Sequence, residues 1–81
     1  MKLNDQELSP EQREAARQYS AEALLGRVAK YISLEDQISV AEAFNKLYHT
    51  DLPEKIFDWE TKLYLEGPGY LYELYKDTEF F

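Results

Sequence analysis

The chain predicts an all-α fold, a compact bundle of one long helix and three or four short ones, and three observations lead there. Ser9-Pro10-Glu11-Gln12 opens a long helical pattern broken only by Gly26. Apolar residues recur at three- and four-residue spacing within it, and again after Ser39. The one ambiguous segment, Lys62-Leu63-Tyr64-Leu65, has no second strand candidate to pair with, so it too reads as helix.

Ser9 is placed to accept from first-turn amides, proline suits the first helical position, and Gln12 completes a capping box, so the first helix begins at Pro10. It is expected to run to about Ile32 with Ala21, Leu24, Leu25, Val28, Tyr31 and Ile32 as its apolar stripe. Gly26 costs about 1 kcal/mol relative to alanine there, which suggests a close helix approach, with a neutral accident as the nearly equal alternative. Ser33 to Gln37 reads as a polar connection. Ser39-Val40-Ala41-Glu42 repeats the capping pattern with Ile38 as a staple, and starts a second helix over Val40 to His49. Its stripe, Val40, Ala43, Phe44, Leu47 and Tyr48, fits antiparallel packing on the first helix.

Thr50 or Asp51 is expected to cap a short helix over Pro53 to Phe57, and Asp58 a further one from Trp59 to about Leu65, ended by Gly67. Pro68 starts a last helix to about Lys76, with Leu71, Leu74 and Tyr75 inward. The organisation is therefore an N-terminal arm (1–9), a single helical domain (10–76) and a frayed tail (77–81).

Eighty-one residues hold one core near the lower limit for unaided folding. With no cysteine and one histidine, disulfides, thiolate zinc sites and imidazole clusters are excluded, and no metal or other cofactor is expected. Lacking an apolar leader or a membrane-length apolar run, the chain is expected to be soluble and cytoplasmic, with no membrane partner. A net charge of −7 argues against direct nucleic-acid binding and for a basic protein partner. Residues 51 to 81 hold eight acids against three bases, so the acidity concentrates in the C-terminal third.

Catalytic readings lose to simpler ones. His49 sits where the second helix ends and is favoured there by the helix dipole. Asp58 and Glu60 read as a cap and a first-turn acid rather than as a carboxylate pair, and Glu35-Asp36 lacks a cleft. Gly67 and Gly69 punctuate helices, since no lysine follows at phosphate-loop spacing. No enzyme activity is expected.

What remains is the aromatic set. Eight of twelve aromatic residues lie from Phe57 onward, more than one small element can bury, and Trp59 is expected to take the core position. Tyr70, Tyr72 and Tyr75 cannot all face one way on a helix. With Tyr75 inward, Tyr70 or Tyr72 must lean out. Tyr64, Tyr70 and Tyr72 are the candidate anchors of a contact patch, with Asp58, Glu66 and Glu73 as its acidic rim. Tyrosines lying flat on the surface are the simpler alternative.

The segment Glu60-Thr61-Lys62-Leu63-Tyr64, followed by Gly67-Pro68 and Tyr70-Leu71-Tyr72-Glu73-Leu74-Tyr75, resembles a group of short bacterial proteins, some of them encoded beside ADP-ribosyltransferase-like toxins. Ile38 to Phe44 is similar to the second helix of that group. The likeness covers residues 10 to 76 in layout and is specific in the last third, although Gly67 stands where a serine cap is usual in the group. It implies an antitoxin or accessory role and brings no functional residues with it. The expected function is a small acidic interaction protein that occludes a cognate partner. A nucleic-acid mimic of phage or mobile-element origin and a self-associating domain, a homodimer, are the alternatives.

Overall fold

The computed structural model describes residues 9–79, which form four α-helices and two 3-10 turns. The helices are α1 (Pro10–Asp36), α2 (Val40–Tyr48), α3 (Leu52–Ile56) and α4 (Pro68–Glu79), and the turns are Trp59–Thr61 and Leu63–Leu65. No described residue is in a strand. Among the described residues, no helix is long and apolar enough to cross a membrane. The arm expected at 1–9 falls outside the described residues except for Ser9, as do Phe80 and Phe81 of the expected tail.

The first cap forms as its sequence requires: the Gln12 amide donates to Ser9 Oγ at 3.1 Å and the Ser9 amide to Gln12 Oε1 at 2.9 Å. At the other end α1 runs one turn past the expected stop at Ile32, to Asp36. Of the segment expected as a polar connection, Ser33 to Gln37, the residues to Asp36 are helical, and the helix closes at Gln37, which takes the left-handed conformation (φ 57°, ψ 48°) while the Ile38 amide reaches back to the Ser33 carbonyl at 3.1 Å. This is a Schellman closure built without the glycine that usually signals it. The Ser33 hydroxyl fastens the turn by donating to the Ile38 carbonyl at 2.6 Å.

At 1.5 Å per residue α1 is about 40 Å long, which sets the longest dimension of the 43 × 25 × 18 Å molecule. α2 and α4 both pack on it, and α3 touches each of them. The core joins Leu25, Val28 and Ile32 of α1 to Leu47 of α2, Leu52 and Ile56 of α3, and Leu71 and Tyr75 of α4, all essentially without solvent contact. Trp59, Leu63 and Leu74, expected as core, pack against it from the rim while remaining partly exposed. Tyr31, expected in the stripe, also stays partly outside.

The C-terminal third is laid along α1 in the direction of that helix. Trp59 Nε1 donates to both carboxylate oxygens of Glu14, at 2.9 and 3.0 Å, Gly69 lies against Tyr31, and Tyr72 reaches Asp36. The Trp59 contact anchors the first turns of α1, where the positions continuing the core stripe are the ion-paired Glu14 and Arg17. Being solvent-exposed, it contributes on the order of 1 kcal/mol.

Gly26 gives no helix a close approach: nothing lies within 4 Å of where a Cβ would stand. Its presence in α1 is a plain cost of propensity. Gly26→Ala and Gln37→Gly should each raise stability by about 0.5–1 kcal/mol, the first by helix propensity and the second by relieving a left-handed side chain. Leu47→Ala should cost about 2–5 kcal/mol, a large share of the roughly 4–12 kcal/mol that a chain of this size holds. Urea unfolding followed by circular dichroism measures all three.

Candidate interaction surface

The segment from Phe57 to Glu66 is organised by hydroxyl and carboxylate caps. Asp58 accepts from the Glu60 amide at 3.1 Å and starts the first 3-10 turn, as its capping role predicts. The Thr61 hydroxyl lies 2.7 and 2.8 Å from the Lys55 and Asp58 carbonyls and accepts from the Leu63 amide at 3.2 Å. Lys62 between the turns is left-handed (φ 58°), so the helix expected over Trp59 to Leu65 breaks into two 3-10 pieces. Leu63 and Tyr64 pack toward the core, and Leu65 is 68 % exposed.

Tyr64 meets Trp59 edge-on, with ring centroids 5.2 Å apart, and Trp59 tilts against Phe57 at 6.0 Å. Such pairs add about 0.5–1.5 kcal/mol each to the burial itself. Tyr64 is therefore a half-buried packing residue more than a free anchor. Phe57 and Asp58 also border a shallow depression with Asp51, Glu54 and Lys55, in which Lys55 pairs with Asp51 at 3.4 Å.

α4 sorts the remaining tyrosines. The Gly67 carbonyl accepts from the Leu71 amide, so Gly67 holds the N-cap position and Pro68 the first helical one. Leu71 and Tyr75 point inward, and at 100° per residue Tyr72 lies within the same arc whereas Tyr70 and Glu73 fall outside it. The structure accordingly corrects the placement of Tyr72 as a contact residue: it is only 8 % exposed. Its hydroxyl donates to Asp36 Oδ1 at 2.9 Å, its ring lies 5.0 Å from that of Tyr31, and Lys76 Nζ stands 5.3 Å above it. Tyr70 is the tyrosine that leans out, at 52 % exposure.

Of the six sequence-predicted residues, Tyr70, Glu66 and Glu73 lie on the surface around the Gly67-Pro68 junction. Asp58 is exposed but engaged as a cap, Tyr64 is half-buried, and Tyr72 is inside. Sequence reasoning missed Leu65, although at 100° per residue it falls about 200° from the inward Leu63, which was the available signal. It also assigned the whole α2 stripe to the core, whereas Val40 and Tyr48 are 45 % and 58 % exposed. That stripe spans a wider arc than one neighbouring helix can cover, which was the available signal.

His49 closes α2: its Nδ1 lies 2.6 Å from the Asn45 carbonyl, which can only accept, so the proton sits on Nδ1. Among the described residues no group of three or more His, Cys, Asp or Glu side chains could hold a metal ion. Comparison of the chain with known proteins finds no matching family model, no matching curated protein and no matching solved structure.

Burial pushes the Tyr72 phenol up to about 12, helped by the hydrogen bond to Asp36 and by the carboxylates nearby. An acid whose folded pKa is raised gives stability that is complete below its unfolded value, near 10, and is lost as pH rises toward 12. A near-ultraviolet tyrosinate titration should therefore show the Tyr72 phenol ionising late, at about 12. Tyr72→Phe should remove that late step. Asp36→Asn should bring it part of the way back, since burial is the larger cause.

Proposed function

We propose that this chain is an acidic protein-interaction module that acts by occupying a basic surface of a cognate protein, as an antitoxin or accessory protein does. The observation that carries this reading is the pairing of exposed apolar groups with carboxylates at the start of α4. Leu65 and Tyr70 stand 68 % and 52 % exposed on either side of Gly67-Pro68, while the other described aromatics of the C-terminal third are packed at least half inside. Glu66 and Glu73 are exposed beside them. Apolar anchors within a charged rim are the composition of contact surfaces, with anchors supplying affinity and the rim supplying on-rate. The role is binding and steric occlusion in the cytoplasm, without catalysis.

A nucleic-acid mimic would need free carboxylates in rows. Glu14 and Asp51 are each paired with a nearby base and Asp36 is held by Tyr72, which takes these three acids out of any such row.

The test is capture of a stoichiometric partner from the native host with the full chain, followed by titration of that partner. Tyr70→Ala combined with Leu65→Ala should weaken binding at least tenfold, and rising salt should weaken it further. Tyr72→Phe, which keeps the buried ring, should bind as the parent does. Equal binding by the parent and the double variant, or the absence of any stoichiometric partner, sinks the reading.

A further inference from the structure

We propose that α2 carries a second, separate contact face, built from Val40, Ala41, Phe44, Asn45 and Tyr48, and that its occupant is another copy of this chain paired antiparallel across a two-fold axis. The first support is geometric. Val40, Phe44 and Tyr48 recur every four residues, so they share one side of α2 beside the buried Ala43 and Leu47. The bundle covers only the inner edge of this arc: Val40 and Tyr48 are 45 % and 58 % exposed and Phe44 is half-buried. The Phe44 and Tyr48 rings are already stacked at 6.1 Å with 21° between their planes, forming a flat apolar platform.

The second support is charge. Ala41 and Asn45, the exposed neighbours on the outer side of the stripe, are uncharged, so the five residues of the face carry no charge at neutral pH in a chain that is 31 % charged. Two copies of a chain with net charge −7 repel wherever their acids meet. A charge-free apolar face is where they can join without that penalty, whereas a basic partner would find no carboxylates on it to pair with. This separates it from the Leu65 and Tyr70 surface, whose rim is acidic.

The third support is the self-complementary order of the stripe. Phe44 is midway between Val40 and Tyr48, so a two-fold axis at Phe44 sets Phe44 against its copy and each Val40 against the other chain's Tyr48. The small Ala41 beside the stripe lets the two helix backbones approach. One helix face per chain is well below the roughly 800 Å² per partner of a standard stable interface. The dimer is accordingly one that forms and dissociates with concentration.

Sedimentation of the full chain from micromolar to millimolar concentration tests the proposal. The parent chain should rise from monomer to dimer mass across the series. Val40→Glu places an acid in the first turn of α2, where the helix dipole accepts it, and Tyr48→Lys places a base in its last turn. Each single variant should weaken association at least tenfold with the helical circular dichroism unchanged. In one chain positions 40 and 48 are about 12 Å apart along the helix, so the introduced carboxylate and ammonium do not meet there. Across the axis they do, and the double variant Val40→Glu/Tyr48→Lys should lose less association than the two single losses added together. If Tyr48→Lys unfolds, Asn45→Glu, at an exposed position of the same face, serves as the dissociating variant. A parent chain that stays monomeric throughout, single variants that associate as the parent does, or a double variant whose loss equals or exceeds the sum of the single losses overturns the proposal.

Discussion

The structure depends on one constraint: a single helix long enough to be stable must hold every other element in place. Isolated helices shorter than about 12–15 residues are marginal in water. α2, α3, both 3-10 turns and α4 all fall at or below that length. Each persists because it places apolar side chains on the buried stripe of α1 or on a neighbour that does so. The polar tethers lie along the same helix, Trp59 on Glu14 near its start and Tyr72 on Asp36 at its end. The two differ in kind. The first is exposed and competes with water, whereas the second brings a mostly buried phenol to a carboxylate and leaves Tyr72 with its hydroxyl satisfied.

That dependence explains which parts of the fold were legible from sequence. Caps are local chemistry, so Ser9, Ser39 and Asp58 marked their element starts, and the α1 stripe followed from spacing. The end of α1 was hidden because a glutamine takes the left-handed cap that sequence patterns assign to glycine. The split of Trp59 to Leu65 was hidden for the same reason at Lys62. Both are exposed positions whose backbone conformation propensity penalises and whose turns are closed by backbone hydrogen bonds, Ile38 to Ser33 in one and Lys62 to Trp59 in the other. In the candidate site, Tyr72 looked available because helical spacing alone requires only that Tyr70 or Tyr72 lean out, and contact with Tyr31 and Asp36 is what turns Tyr72 in and leaves Tyr70 out.

A chain this short leaves apolar surface uncovered wherever it folds, so exposure alone does not mark a function. Tyr19 and Leu34 are among the most exposed apolar residues of the molecule, at 74 % and 70 %, yet neither belongs to an exposed apolar stripe comparable to that of α2. Tyr19 has no other large apolar side chain within one turn of its helix, and on that helix Leu34 adjoins only Tyr31, 37 % exposed, one turn earlier; isolated exposure of that kind needs no partner. The two surfaces given roles here differ from them in context. Around the start of α4, apolar groups are interleaved with carboxylates; on α2, three apolar side chains adjoin and the two exposed residues on their outer side, Ala41 and Asn45, are uncharged.

Charge context then decides what each surface can accept. An acidic rim raises the encounter rate with a basic protein and discourages a second copy of the same acidic chain. An uncharged stripe does neither, and its affinity comes from burial alone, which limits a face of one short helix to weak association. The two proposed contacts therefore do not compete for the same occupant. They also use different elements, α4 with the 3-10 turn before it in one case and α2 in the other, so a chain paired through α2 still presents Leu65 and Tyr70. Pairing would set two such surfaces in one assembly, and a partner with two basic sites at matching separation would then be held by both. The gain in that case comes from effective concentration and not from any additional contact.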